Sequence, residues 1–349
     1  MVNFGIIGTG MIARHHAKVI SKMSGGKVVA CCSRSQDSAD AFGKEYGCRG
    51  YSELEAMLEH PGLDAVSICS PSGAHLEPAL KAAESGKHAM IEKPLEITLS
   101  RCDRIIEAFK EKKLKLGVIF QSRFFDATSV IKDAIDAGRF GTLTLGDAYV
   151  KWYRNQDYYD KGGWKGTRKL DGGGALMNQS IHAIDVLQWF MGPVESVQAY
   201  TDTLGHTGIE VEDVGVAVLR FKNGALGVIE GTTAAFPGFL KRIEISGTQG
   251  TAILEEENLT HWKFAEEREE DGKIRERYMS ATNHGGGAAD PGAIGIGGHR
   301  KQFEDFARAI EQGQPLALDG SEARKSVEII LAVYRSAREG GRITLPLRE

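Results

Sequence analysis

The segment "HAMIEKPLE" runs an apolar stretch straight into Glu92, Lys93 and Pro94. Two opposite charges locked by a proline make poor turn chemistry. Pro94 removes a backbone donor and keeps Lys93 extended, which fixes the origin of its side chain. An ammonium fixed at a strand end can bind and polarise an oxygen, and burial near another cation lowers its pKa toward a catalytic range. A second cluster lies in "DGGGALMNQSIHAID", where Asn178 and His182 are four residues apart and Asp185 three further. On an α-helix these three share one face, and polar groups there are costly to bury unless they line a cavity. His182 titrates near neutral pH and can take a hydroxyl proton, while Asn178 can hold a substrate hydroxyl. Asp185 can orient the imidazole or cap a buried donor. The glycines Gly172–Gly174 permit close backbone approach and a sharp entry to the helix. Each group also has a plainer reading, as a solvated loop lysine or a core histidine. The elements that carry them decide.

Over the first 120 or so residues, short apolar runs ("NFGIIG", "KVVACCS", "AVSICSP", "HAMIEKP", "LKLGVIFQ") alternate with amphipathic segments that stop at glycines. That rhythm is βαβ, and continuous rather than alternating hydrophobicity means strands covered on both faces, hence a parallel sheet. Lys93 then ends the fourth strand, and ligands of such sheets bind beyond the carboxyl ends of the strands. After Gln121 the rhythm changes to alternating strands such as "SVQAYT", "DVGVAVLRF", "ALGVIEGTT" and "KRIEISG", with a hairpin signal at Lys222–Gly224. The pattern predicts an α/β chain of two domains. A doubly wound Rossmann sheet covers 1–121, and an α+β domain with a large, mainly antiparallel, open-faced sheet covers 122–349. A Gly-rich loop at 283–298 precedes two closing helices that start near His299 and Ser321.

"GIIGTGMIARHH" sets Gly8, Gly10 and Ala13 in the G-x-G-x-x-A spacing directly after the first strand. In that context Gly8 makes the tight turn and Gly10 admits the pyrophosphate at the helix N-terminus, where Met11 and Ile12 begin the helix. Where an acidic ribose partner would end the second strand, the chain has Ser33 and Arg34. A hydroxyl and a guanidinium suit a 2′-phosphate, so the residues lean to NADP; Arg34 stacked on the adenine would equally tolerate NAD.

At 349 residues with 42% hydrophobic and 26% charged residues, the chain has the composition of a globular protein with a sizeable core. A net charge of -4 gives no electrostatic case for nucleic acid or anionic membranes, and no apolar run approaches the ~20 residues that cross a bilayer. Five unspaced cysteines read as buried thiols in a reducing, cytoplasmic compartment, and no Cys/His group has metal spacing.

The G-x-G-x-x-A turn, "SPSGAH", "EKP", "QSRF", the "GGGALMNQSIHAID" helix and "GGHRKQFEDFARAI" resemble, in that order, the Gfo/Idh/MocA family of NAD(P)-dependent sugar and cyclitol oxidoreductases. The resemblance implies a Rossmann domain followed by an open-sheet α+β domain. It implies that Lys93 and His182 form the acid–base pair, and that Ser70, Pro71 and His75 lie in the segment lining the cofactor site beside Glu92 and Pro94. Many members carry Asp at the position of Asn178; Asn accepts no proton, so here it orients substrate. "GGWKGT" with the following helix looks more like the branch of nucleotide-sugar 3-dehydrogenases and 3-keto-sugar reductases. Trp152, Tyr153, Arg154, Trp164 and Lys165 suit a polyhydroxylated ligand by stacking and hydrogen bonding, and Arg123 suits a substrate or phosphate contact. His299 either reaches the site from the Gly-rich loop or serves only its helix N-terminus. The expected activity is hydride transfer to or from a secondary alcohol. The alternatives are a non-sugar carbonyl or dihydrodiol as substrate, or a cofactor-binding regulator without turnover. Apolar residues on the open sheet face point to a homo-oligomer, dimer or tetramer, joined through the second domain's sheet.

Overall fold

A computed structural model describes residues 1–161, 163–279 and 295–348; most of the Gly-rich loop, 283–294, lies outside the described residues. The chain forms two compact units. One comprises Met1–Gln121 and Ile296–Arg324, the other Ser122–Gly295 and Lys325–Glu349. The expected division at 121/122 leaves Ile296–Arg324 with the second domain, whereas in the structure this segment packs with the first. Phe303 and Phe306 explain the return. Both are fully buried, and their rings lie against Phe4 in the first strand, at centroid separations of 5.7 and 6.2 Å. That contact joins residues some three hundred apart, which no local pattern announces.

The first unit holds β1 (Val2–Ile7), α1 (Met11–Lys22), β2 (Gly26–Cys32), α2 (Gln36–Tyr46), β3 (Arg49–Tyr51), α3 (Leu54–Leu58), β4 (Ala65–Ile68), α4 (Leu76–Glu84), β5 (His88–Ile91), α5 (Leu99–Glu111) and β6 (Leu116–Val118). The strands are parallel in the order β3-β2-β1-β4-β5-β6, which is the Rossmann order. Strand β3 was not expected. Its three residues, Arg-Gly-Tyr, sit at the sheet edge and carry no apolar run. Lys93 therefore follows the fifth strand, not the fourth. Helix boundaries obey capping chemistry: Ser35 and Thr98 accept the backbone N–H groups of Ser38 and Arg101, and Gly47 closes α2 at φ 69°.

The second unit continues with α6 (Asp126–Asp136), β7 (Leu143–Lys151), α7 (Gln156–Asp160), α8 (Ile181–Met191), β8 (Val194–Asp202), β9 (Val214–Phe221), β10 (Leu226–Thr232), β11 (Arg242–Gly247), β12 (Gly250–Glu255), β13 (Asn258–Phe264) and α9 (Glu269–Met279). The chain then passes α10 (Gly297–Gln312) and α11 (Gly320–Glu339) to β14 (Ile343–Thr344). The eight-stranded sheet runs β13-β12-β11-β7-β10-β9-β8-β14, with β7 and β10 parallel and the other pairs antiparallel. The turn at Lys222–Gly224 joins β9 to β10 as the sequence predicts, with Gly224 at φ 91°. One sheet face packs on α8, and Gly146 makes room there, since a Cβ at that position would lie 2.5 Å from Met191 Cγ. The opposite face exposes Leu145, Tyr200, Val216, Val218 and Leu226. Among the described residues no helix is long and apolar enough to cross a membrane.

Candidate functional site

In the first unit the candidate residues collect at the carboxyl ends of β1, β2, β4 and β5. Gly8 follows β1 at φ 103°, a conformation L side chains rarely adopt, and its Cβ would press on the Cys69 carbonyl at 3.0 Å. Gly10 differs: its φ is -74° and a Cβ there would meet nothing within 4 Å. Packing within the chain places no demand on that glycine. Gly10 is the N-cap of α1 and supplies no side-chain cap, so the first N–H groups, from Met11 and Ile12 onward, are left for an anion. Ala13 is fully buried against the sheet. Ser33 stands beside this turn, its hydroxyl 3.2 Å from Thr9 Oγ1, and Arg34 is exposed. These residues fit a dinucleotide.

The segments after β4 and β5 are tied together by His75. It is fully buried, with Nδ1 2.9 Å from the Pro94 carbonyl and Nε2 3.0 Å from the Ser70 carbonyl. His75 thus ties "SPSGAH" to "EKP", and Pro71 begins the turn between Ser70 and His75. The Lys93–Pro94 bond is cis. Lys93 is half-buried and its N–H donates to Glu92 Oε2 at 3.2 Å. The other carboxylate oxygen lies 2.8 Å from His16 Nε2, and His16 Nδ1 is 2.8 Å from Ser67 Oγ and 3.3 Å from Cys69 Sγ. Burial opposes charge on both partners, but it loses: the Cys69 sulfur and the Glu92 carboxylate push His16 up to about 10. His16, Lys93 and His299 likewise bring Glu92 down to about 2. His299 is buried at the start of α10, its ring 4.6 Å from that of His15 and 5.9 Å from that of His16.

In the second unit the helix predicted from "GALMNQSIHAID" starts as a π-helical turn, Ala175–Ser180, and becomes α only at Ile181. The four-residue spacing of Asn178 and His182 therefore spans two kinds of helix. Both are half-buried, whereas Asp185 is wholly enclosed. Asp185 receives Arg123 Nε at 2.7 Å and Nη2 at 2.8 Å, and the guanidinium also lies over the Trp189 ring. This bidentate pair commits Arg123 to holding α8.

The turn is held by groups that sequence reasoning missed. Glu212 accepts the N–H groups of Gly174 and Leu176 and the Tyr334 hydroxyl, and burial pushes its carboxyl up. The glycines before the turn are sterically required: a Cβ on Gly174 would lie 1.8 Å from the Glu212 carbonyl oxygen, and one on Gly173 2.1 Å from the Tyr334 hydroxyl. Asn178 donates to Asp171 Oδ1 at 2.6 Å. Gln179 bridges the Tyr158 hydroxyl at 2.8 Å and Arg154 Nη2 at 3.1 Å, and Lys165 sits over the Tyr158 ring. Trp164 is half-buried, but Trp152 and Arg154 are buried, so of the expected aromatic and basic set only part faces outward. Tyr158 and Gln179 carried no signal apart from their distant partners.

Residues 2–120 match an oxidoreductase family described by its NAD-binding Rossmann fold, and residues 129–253 match the GFO/IDH/MocA C-terminal domain. The chain belongs to the Gfo/Idh/MocA family of oxidoreductases. Within it, the WlbA dehydrogenase of Bordetella pertussis, solved with NADH and UDP-GlcNAcA, is 35% identical with a TM-score of 0.90 over 99% of this chain and 98% of that one. A WlbA dehydrogenase from Chromobacterium violaceum, also with NADH and UDP-GlcNAcA, is 32% identical with a TM-score of 0.89, covering 100% and 97%. The myo-inositol 2-dehydrogenase of Thermotoga maritima is 27% identical over 97% of each chain. These likenesses agree with the Rossmann order of the first sheet and the mixed eight-stranded second one. The expected α/β architecture and family are thereby borne out.

Proposed function

We propose that this Gfo/Idh/MocA chain is an NAD(P)-dependent dehydrogenase acting on a secondary alcohol of a sugar derivative, with a nucleotide-linked sugar as the favoured substrate class. The observation that carries the reaction class is Lys93, fixed at the carboxyl end of β5 in the same unit as a turn shaped for a dinucleotide. What supports the nucleotide sugar is the 35% likeness to a dehydrogenase held with UDP-GlcNAcA, against 27% to an inositol dehydrogenase.

The cofactor, when bound, supplies the hydride acceptor or donor. Gly8, Gly10, Met11 and Ile12 would receive its pyrophosphate, Ser33 and Arg34 its ribose, and the segment from Ser70 to His75 with Glu92, Lys93 and Pro94 its nicotinamide end. Lys93 binds the reacting oxygen and His182 exchanges its proton. Asn178, itself oriented by Asp171, and Trp164 hold neighbouring hydroxyls or the sugar face. Arg123 acts through Asp185 on the helix that carries His182. On the residues alone, NADP is the preferred form, because Arg34 is exposed at the end of β2; the NADH in the similar WlbA structures supports NAD. Five cysteines without a disulfide among them support a reducing cytoplasm. Replacing Lys93 or His182 by Ala should lower kcat by roughly 10²- to 10⁴-fold while changing the cofactor Kd little. The assay is reduced-nicotinamide absorbance with UDP-sugars, free sugars and inositols, alongside cofactor titration of each variant. Equal loss of cofactor affinity in both variants would remove the catalytic assignment, and turnover of inositols alone would remove the nucleotide sugar.

A further inference from the structure

We infer that His16 is a positioning residue for Lys93: the buried His16–Glu92 ion pair moors the strand end bearing the reacting lysine to the helix that receives the cofactor's pyrophosphate. This rests on the reading of Lys93 as the group that binds the reacting oxygen.

The geometry is continuous. His16 lies in α1, whose N-terminus opens at Gly10, and is completely enclosed. One ring nitrogen reaches Glu92 Oε1 at 2.8 Å, at the end of β5; the other reaches Ser67 Oγ at 2.8 Å, on β4. The imidazole thus makes a charge contact with the carboxylate on one side and a hydrogen bond with the Ser67 hydroxyl on the other. The second oxygen of Glu92 takes the backbone N–H of Lys93 at 3.2 Å. So α1, β4 and β5 are cross-linked at the level of the dinucleotide turn, and the last link is the lysine itself. The Phe303 ring closes the pair off from α10, standing edge-on to His16 at 5.1 Å.

Every ionisable neighbour of this pair is on a packed element. His15 lies beside it on α1, where burial and the charge of His16 push its pKa down to about 4, so it adds no positive charge at neutral pH. Lys18, also on α1, acts on His15. Cys69 faces the imidazole from the end of β4, His299 comes from α10, and Lys93 stands beyond Glu92. The carboxylate thus pairs with the His16 imidazolium and also feels the positive charge of Lys93. Stability alone does not account for it. A buried ion pair is often matched or beaten by well-packed apolar residues of the same volume, whereas a fixed orientation and a fixed charge beside a reacting group are what such a pair can supply.

The experiment uses the full chain. Glu92→Gln and His16→Gln keep shape and remove charge, and the double variant H16L/E92L replaces the pair by apolar volume should a single variant fold poorly. Each is first shown to fold by circular dichroism and to bind reduced cofactor by fluorescence titration. The expected result is a kcat lowered roughly 10- to 100-fold, as misplacement of a reacting group costs, a larger fall than any rise in cofactor Kd. In Glu92→Gln the pH–rate limb set by Lys93 should also move to lower pH, because the ammonium loses the nearby carboxylate that favours its charged form. A structural role alone would not move that limb. Wild-type kcat and an unmoved limb in all the folded variants, with Lys93→Ala inactive, would overturn this inference and leave the dehydrogenase reading standing. A fully active Lys93→Ala would overturn the reading beneath it. Activity lost on dialysis against a chelator and restored by Zn²⁺ would make His16, Glu92 and His299 cation ligands, and the ion-pair assignment would fall.

Discussion

Two glycines two positions apart in the sequence, Gly8 and Gly10, obey different physics. Gly8 is required by the fold, since its φ of 103° and the 3.0 Å approach to the Cys69 carbonyl leave no room for a Cβ. Gly10 is required by neither. We therefore expect Gly8→Ala to destabilise the protein by more than about 1 kcal/mol in urea melts. Gly10→Ala should melt within about 0.5 kcal/mol of wild type yet bind cofactor at least about tenfold more weakly. Loss of stability in Gly10→Ala without loss of affinity would refute the close-approach role. Arg34 yields a second residue-scale test. Because a guanidinium binds a phosphate through two charge-assisted bonds, Arg34→Ala should raise KM for NADP at least about tenfold and leave KM for NAD nearly unchanged. Equal rises with both would put the side chain against the adenine. Lys93 and Gly10 were legible in the sequence because their meaning is local: a strand, a turn and a proline within a few positions. His16 was not. Its partners Ser67 and Glu92 come from other strands, and the only local sign is a histidine on the buried face of α1 beside Ala13, Ala17 and Ile20.

At the scale of elements, the chain betrays long periodic stretches and hides short or irregular ones. β1, β2, β4, β5 and the β9–β10 hairpin follow the apolar runs, whereas β3, β12, β13 and the two-residue β14 do not stand out. The π turn at Ala175–Ser180 is invisible for another reason: widening one turn leaves the apolar pattern of the helix intact. The cross-link between α1 and β5 carries its own pH dependence. The histidine's folded pKa is raised from 6.5 to about 10, so its contribution is complete below pH 6.5 and disappears as pH climbs through 10. The carboxyl is lowered from 4.5 to about 2, so its contribution is complete above pH 4.5 and disappears as pH falls through 2. The stability difference between wild type and H16L/E92L should favour the wild type most between pH 4.5 and 6.5 and move steadily toward the variant as pH rises to 10. Urea midpoints measured across this range give the answer, and a difference that stays flat would mean the pair is not ionised as drawn.

For the whole molecule, the open face of the second sheet gathers exposed apolar side chains. Cross-strand neighbours there include Tyr200 opposite Val216 and Gln198 opposite Val218, with Val228 paired to Val218 on the next strand. An exposed row of this kind on a sheet of eight strands is expensive to leave in water, and a second copy of the chain would cover it through a self-complementary contact. Val218→Glu should therefore convert the oligomer we propose into monomers by light scattering, without lowering the thermal midpoint of the monomer. A wild-type chain that already runs as a monomer would dispose of the idea.

The wide turn ahead of His182 has a mutational corollary. A π turn is an α-helix with one residue too many, so deleting a single residue between Ala175 and Ser180 would restore ordinary winding and leave the helix from Ile181 onward where it is. The imidazole would keep its place while the amide of Asn178 swung out of register with Asp171. Such a one-residue deletion would separate, in one protein, the proton transfer we propose for His182 from the substrate contact we propose for Asn178.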